Sequence, residues 1–274
     1  MSRLRISAIS YLNTAPLLWD FDHGAAGADF DISYTIPSGC AEALRAGTAD
    51  IGIIPAAAYA TIPDLVILPD VAIASKRAVR SILLVSKVQL HRIRTVALDT
   101  SSLTSVALMK ILYSKWLGGS REYIAMAPDL DRMLAACDGA LLIGDPALQV
   151  DRKRFITLDL AEEWIARTGH AFVFAFWAIR RQALAGNDPQ AIIEVFRKSR
   201  DHGLNSKNLE MLVQRWAPRL SLPSEVVRTY LAHNIHYYLD RPCLEGLQLF
   251  YRYGNELGVL PPAPALAFAG EPAR

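Results

Sequence analysis

The chain has 274 residues, 52% of them hydrophobic, with 29 Lys+Arg against 27 Asp+Glu and a formal net charge of +2. That is long and apolar enough for one large core or two modest ones, and the balance of signs excludes a nucleic-acid-coating surface, which needs a basic excess. The longest purely apolar run, residues 171–179, is far short of the about 20 residues that cross a bilayer as a helix, so no membrane partner is expected.

Residues 4–10 read as a strand. Arg3 and Arg5 flank or interrupt it, and it lacks the continuous apolar block of a signal peptide, which predicts a cytoplasmic protein. It runs into Tyr11-Leu12-Asn13-Thr14-Ala15-Pro16, where Asn13 or Thr14 supplies a cap and Pro16 suits a first helical turn. Residues 31–36 form the next strand, Pro37-Ser38-Gly39 a turn and cap, and residues 40–46 a short helix stopped by Gly47. A buried strand at 50–54 ends at Pro55, and a loop around Pro63 and Pro69 leads to a strand at 81–86. Residues 95–98 are a strand and 99–102 a polar turn. Residues 103–117 follow as a helix, with Leu108, Ile111, Leu112 and Trp116 on one stripe and Gly118-Gly119 at its end. A strand at 140–143 ends at Gly144-Asp145-Pro146, and residues 171–179 read as a strand buried on both faces.

From about Pro189 the pattern is helical, with Ile192, Val195 and Phe196 on one stripe and Val227, Tyr230, Leu231 and Tyr238 on another. Cys40, Cys137 and Cys243 are odd in number, far apart and without a CxxC pair, which predicts reduced buried thiols. The alternation is that of an α/β chain. A strand, a polar cap and a strand stopped by Gly or Pro occur in residues 1–85 and again in 92–175, which predicts two similar lobes with a cleft between them. Residues 1–86 with 176–274 make one lobe, 87–175 an inserted second lobe, and 261–274 a flexible tail.

The polar residues concentrate at strand-to-helix turns: 10–14, Ser38-Gly39, 99–105 and Gly144-Asp145. In an open α/β sheet such turns line the ligand crevice. Ser102, Thr104 and Ser105 at a helix start either hold a carboxylate or cap the helix, and Asp145 either binds substrate or caps the helix led by Pro146. His233 and His236 lack a third metal ligand and read as surface or core-edge residues. His170 is a base or a hydrogen-bonded structural residue. The basic clusters at Lys76-Arg77 with Arg80 and at Arg152-Lys153-Arg154 read as solvated loops, and no glycine-rich phosphate loop is present.

Six stretches carry a resemblance: Ser10-Tyr11-Leu12-Asn13-Thr14-Ala15-Pro16, Asp50-Ile51-Gly52-Ile53-Ile54-Pro55-Ala56, the turn from Asp99 through Ser101, Ser102, Thr104 and Ser105 to Leu108, Leu142-Ile143-Gly144-Asp145, Asp159-Leu160-Ala161-Glu162-Glu163-Trp164, and Thr168-Gly169-His170 with the apolar run that follows. Together they resemble the chorismate dehydratase family of the futalosine route to menaquinone. The resemblance implies a type II periplasmic-binding-protein-like fold with a helical C-terminus and crossover strands near 81–86 and 172–179. It also implies removal of water from the dianion chorismate to give 3-[(1-carboxyvinyl)oxy]benzoate, with neither a metal nor an organic cofactor. The family's functional Asn and Ser fall on Asn13 and Ser81, the expected catalytic pair. Tyr11, Ser38, Ser101, Ser102, Thr104, Ser105 and Asp145 are the expected substrate-binding residues. Leu103 stands where the family often has Arg, and His170-Ala171 where it often has Leu-Pro. Two other readings share the fold: a non-catalytic small-anion-binding protein, and the related dihydroxynaphthoate synthase, whose first turn is instead rich in Pro and Asp. Closure of the lobes over the ligand is expected on either enzymatic reading.

Overall fold

The computed structural model describes residues 3–271. β1 (Leu4–Ile9), β2 (Phe30–Thr35), β3 (Ile51–Pro55), β4 (Leu65–Ser75) and β10 (Phe172–Arg180) form one mixed sheet, in the order β2-β1-β3-β10-β4. β5 (Ile82–Ser86), β6 (Thr95–Asp99), β7 (Glu122–Met126), β8 (Gly139–Ile143) and β9 (Ile156–Asp159) form the other, in the order β7-β6-β8-β5-β9. The orders coincide when β1 to β4 are matched with β6 to β9. In each sheet the fourth place is filled by a strand from outside that set of four, β10 in the first and β5 in the second. The duplication read in residues 1–85 and 92–175 is therefore a duplication of topology.

This exchange shifts the division between lobes. β5 lies between β8 and β9, and β10 between β3 and β4, all antiparallel. The chain thus passes between sheets at residues 76–81 and 160–171, rather than after residue 86 and residue 175. An apolar run buried on both faces has no pattern that tells which sheet it enters.

Other differences have local causes. Pro69 lies inside β4, where the ladder to β10 is interrupted between the pairs Ala72–Phe176 and Ile67–Ala178, and Asp70 takes a left-handed backbone with φ 67°. Pro lacks the N–H a ladder needs, yet both flanking halves stay paired. β7 is an edge strand with three exposed residues in five, so it offers no apolar run to read. Val227, Tyr230 and Leu231 are buried as their stripe predicts, but the helix loosens into a π turn at Tyr230–Asn234 and Tyr238 is exposed. The segment read as a flexible tail runs beside β4 as far as it is described. Ile67 N–H donates to Ala267 O at 2.8 Å, and Ala269 N–H to Ile67 O at 2.9 Å.

The first lobe carries α1 (Trp19–His23), α2 (Pro37–Ala46) and α3 (Ala56–Tyr59), with a 3-10 helix at Leu12–Leu18. The second carries α4 (Thr104–Lys115), α5 (Leu130–Ala136), α6 (Gly144–Leu148) and α7 (Leu160–Thr168). The C-terminal helices are α8 (Pro189–Leu204), α9 (Ser206–Leu220), α10 (Ser224–Thr229) and α11 (Arg241–Glu256). α8 and α9 pack on the 3-10 helix, while α11 touches both β10 and α4 and so spans the lobes. The three cysteines are free and buried. Among the described residues no helix is long and apolar enough to cross a membrane.

Candidate functional site

One buried carboxylate joins the two crossings. Asp159 caps α7 by accepting from the N–H groups of Ala161 and Glu162, and it also accepts from Val79 N–H at 3.3 Å and Arg80 N–H at 2.6 Å. Arg80 is held with φ 67°, a conformation that non-glycine residues adopt at a cost of about 1–2 kcal/mol. The Asp159 bonds hold the residue just before Ser81. Ser81 O then accepts from Gly144 N–H at 2.8 Å, and its fully buried hydroxyl accepts from Tyr230 Oη at 2.8 Å.

Between the lobes lies a cavity of about 50 Å³, walled by Tyr11, Asn13, Ser102, Thr104 and Ser105 against Ile73, Ile82, Ile143 and Phe174. No charged side chain is part of that wall. The volume accommodates a few waters, because the lobes are drawn together. Leu12 N–H donates to Asp145 Oδ1 at 3.0 Å, and Ser38 N–H to Ser101 O at 3.1 Å. Thr104 Oγ1 accepts from Ala57 N–H at 3.1 Å and donates to Phe174 O at 3.0 Å.

Five of the nine sequence-predicted residues, Tyr11, Asn13, Ser102, Thr104 and Ser105, line the cavity, and Ser38, Ser101 and Asp145 lie at its seam, in different capacities. Asn13 does not cap a helix. Thr14 does not either, since its hydroxyl is held by Ile9 O and Tyr11 O. The Asn13 side chain instead lies against the Tyr230 phenol oxygen, with Oδ1 buried and unpartnered. Tyr11 crosses to the second lobe and packs on Gly144, where a Cβ would come within 2.6 Å of the ring and where φ is 61°. Only glycine suits both demands. Burial raises the Tyr11 phenol pKa, and its oxygen is 3.5 Å from Ser101 Oγ.

The Ser/Thr turn is largely self-satisfied. Ser101 donates both N–H and hydroxyl to Asp99 Oδ1, at 2.8 and 2.6 Å. Ser102 Oγ accepts from Ser105 N–H at 3.3 Å, which is the capping alternative. Thr104 is a clamp between lobes. The Ser105 hydroxyl alone of this run reaches the cavity without a protein hydrogen bond among the described residues. Asp145 does not cap α6. It caps the 3-10 helix of the opposite lobe through Leu12, and burial pushes its carboxyl up to about 6.

Four predicted residues lie outside the cavity wall, and besides Ser101 and Asp145 these are Ser38 and Ser81. Ser38 lines an outer groove with Glu42, Arg45 and Lys110, and Ser81 stands next to Tyr230. His170 is also absent from the wall, its N–H held by Thr168 Oγ1. His233 is exposed, and His236 leaves the helix to pair with Asp240, which also holds Lys76 and caps α11. Tyr230 is the residue that sequence reasoning missed. It read as one more member of an apolar stripe, and only its hydroxyl, at the onset of a π turn, hinted at another role.

The chain matches, over residues 4–256, the model of a family described as menaquinone biosynthesis. It is 32% identical over 258 residues to chorismate dehydratase of Thermus thermophilus, covering 88% of this chain and 91% of that protein. Among solved structures, protein AF1704 of Archaeoglobus fulgidus superposes with a TM-score of 0.76 at 17% identity, covering 94% of this chain and 98% of that one. The periplasmic aliphatic sulphonate binding protein SsuA of Escherichia coli gives 0.66 at 16% identity, covering 96% and 95%. The fold is that of the periplasmic binding proteins.

Proposed function

The chain belongs to the menaquinone biosynthesis family, and on that premise we propose that it is a chorismate dehydratase, a cytoplasmic hydro-lyase that converts chorismate to 3-[(1-carboxyvinyl)oxy]benzoate. The observation that carries this reading is the similarity to the Thermus thermophilus enzyme along most of both chains. The cavity supports it chemically.

The hydrogen lost sits on the ring carbon that bears the enolpyruvyl ether, vinylogous to the ring carboxylate. Donors on that carboxylate stabilise the developing dienolate, so the elimination is E1cB-like. The Ser105 hydroxyl, in the first turn of α4, is such a donor in a wall without charge, and the positive end of that helix adds to it. No side chain in the wall is a general base at neutral pH, and the proton passes to the substrate's own enolpyruvyl carboxylate. It leaves with the expelled hydroxide as water, and aromatisation drives the step. Asn13 Oδ1, otherwise unpartnered, accepts from the departing hydroxyl group and orients it. Tyr230, whose hydroxyl donates to Ser81, lies beside the Asn13 carboxamide, and Tyr230 and Ser81 are positioning residues on this reading. Chorismate is larger than the present cavity, so the lobes part to admit it and close over it, which excludes bulk water and strengthens each of these hydrogen bonds.

Incubation of the purified protein with chorismate, followed by mass spectrometry, is expected to yield the dehydrated product. A tight chorismate complex that never turns over would overturn this reading in favour of a non-catalytic anion-binding protein.

A further inference from the structure

A dianion bound in an uncharged cavity still has to be drawn out of water, and the cavity wall supplies no cation for that step. A groove of about 400 Å³ adjoins the cavity and shares Ile9, Tyr11 and Thr14 with it. Its outer wall carries Arg215 and Arg219, one turn apart on α9 and both exposed. Neither is in a salt bridge among the described residues. Arg215 approaches His23 Nε2 at 3.5 Å, and Arg219 lies over the Trp216 ring at 4.5 Å. The groove's carboxylate, Asp22, accepts instead from the Tyr34 hydroxyl. Arg219 in the last turn complements the dipole of α9, but a second like charge one helical turn away repels it, so Arg215 adds nothing of that kind. Arg219 is also near enough to Asp145, the carboxylate that ties the lobes through Leu12, to draw its pKa down against the effect of burial.

The groove on the opposite side is built differently. It is larger, about 610 Å³, but shares only Leu103 with the cavity. Of its two cations Arg45 is paired, donating to Glu42 at 2.7 Å, and Lys110 lies 5.5 Å from the centre of the Tyr123 ring.

We propose that the groove beneath α9 is an anion port, in which Arg215 and Arg219 capture a carboxylate of a dicarboxylate ligand and pass it along Tyr11 and Thr14 into the cavity. The identity of the turned-over ligand rests on the function proposed above, whereas the anion site does not. Cations at a mouth of this kind act on encounter and on ground-state capture, and their effect is screened by salt.

The test is steady-state kinetics of Arg215→Gln, Arg219→Gln and the double variant at low and high ionic strength, with Lys110→Gln as the opposite-groove control. At low salt each single change is expected to lower kcat/KM about three- to fivefold and the pair about tenfold, with kcat within about twofold and the deficit shrinking at high salt. An unchanged kcat/KM in the double variant, or an equal loss in Lys110→Gln, overturns the port. Calorimetric titration with isophthalate, a benzene dicarboxylate, gives a readout without turnover. About tenfold weaker binding by the double variant supports the port, and equal affinity, or no saturable binding by the parent, overturns it. If the parent fails on chorismate yet binds isophthalate through the arginine pair, the proposed function falls and the port stands.

Discussion

β1 in one lobe and its counterpart β6 in the other each end in a polar turn, and the two turns have opposite fates. After β6, Asp99, Ser101, Ser102 and Thr104 bond to one another or across to the first lobe. After β1, the cap comes from Asp145 in the other lobe, and Asn13 keeps an unpartnered oxygen in the cavity wall. A dense run of hydroxyls thus forms a joint, and Asn13 is the unsatisfied group that the cavity wall holds, notable because folded chains rarely bury a polar atom without a partner. Asp99 Oδ2 is also unpartnered, but it lies outside the cavity wall and burial raises its carboxyl pKa.

That contrast is most exposed to Asn13→Ala. On an open catalytic group the change lowers kcat for chorismate about 10²- to 10³-fold, while the thermal midpoint stays within about 2 °C. Tyr230→Phe, which frees the same carboxamide, is expected to lose about tenfold in kcat with KM little altered. Parental turnover in both variants would break the comparison at its first turn.

Thr104→Val tests the second turn. It keeps the shape but leaves Ala57 N–H and Phe174 O without their partner, a cost of about 2–4 kcal/mol. Denaturant melts report the loss, and small-angle scattering reports a larger radius as the lobes part. An unaltered melt and radius would mean that the hydroxyl is not a clamp.

Asp145 gives the smallest and most pH-dependent effect. Its folded-state pKa, about 6, lies above the ordinary 3.8, so the folded chain holds the proton more tightly than the unfolded one. The destabilisation is absent below about pH 4, grows as pH rises through this window and is complete above about pH 6. Asp145→Asn removes the charge and keeps an amide oxygen for Leu12 N–H. Discounted for partial exposure, the gain is about 1–2 kcal/mol at neutral pH. Melts of parent and variant should converge near pH 4, and a constant gap across the range would contradict the assignment.

Much of this was legible in the sequence. Apolar runs and Gly or Pro stops marked the buried strands, and the repeated cap pattern marked the duplication. The six quoted stretches carried the resemblance, yet in the folded chain several of them serve the lobe interface. Asp159 ties the crossings, Gly144 admits the Tyr11 ring, and Thr104 joins the lobes. Asn13 was identified by resemblance, since its residue type alone fitted a helix cap equally well.

By itself the sequence determined the α/β class, the two-fold repetition of elements and the order of buried runs, because these are written in the spacing of neighbouring residues. The tertiary structure decided which sheet β5 and β10 join, which hydroxyls are free, that Tyr230 stands beside Asn13, and that two arginines of α9 line a groove adjoining the cavity. Those outcomes depend on partners far along the chain. Thr104 meets Ala57 across 47 residues, Leu12 meets Asp145 across 133, and Tyr230 meets Ser81 across 149. Whether a polar group is satisfied is a property of such encounters, and local periodicity holds no record of them.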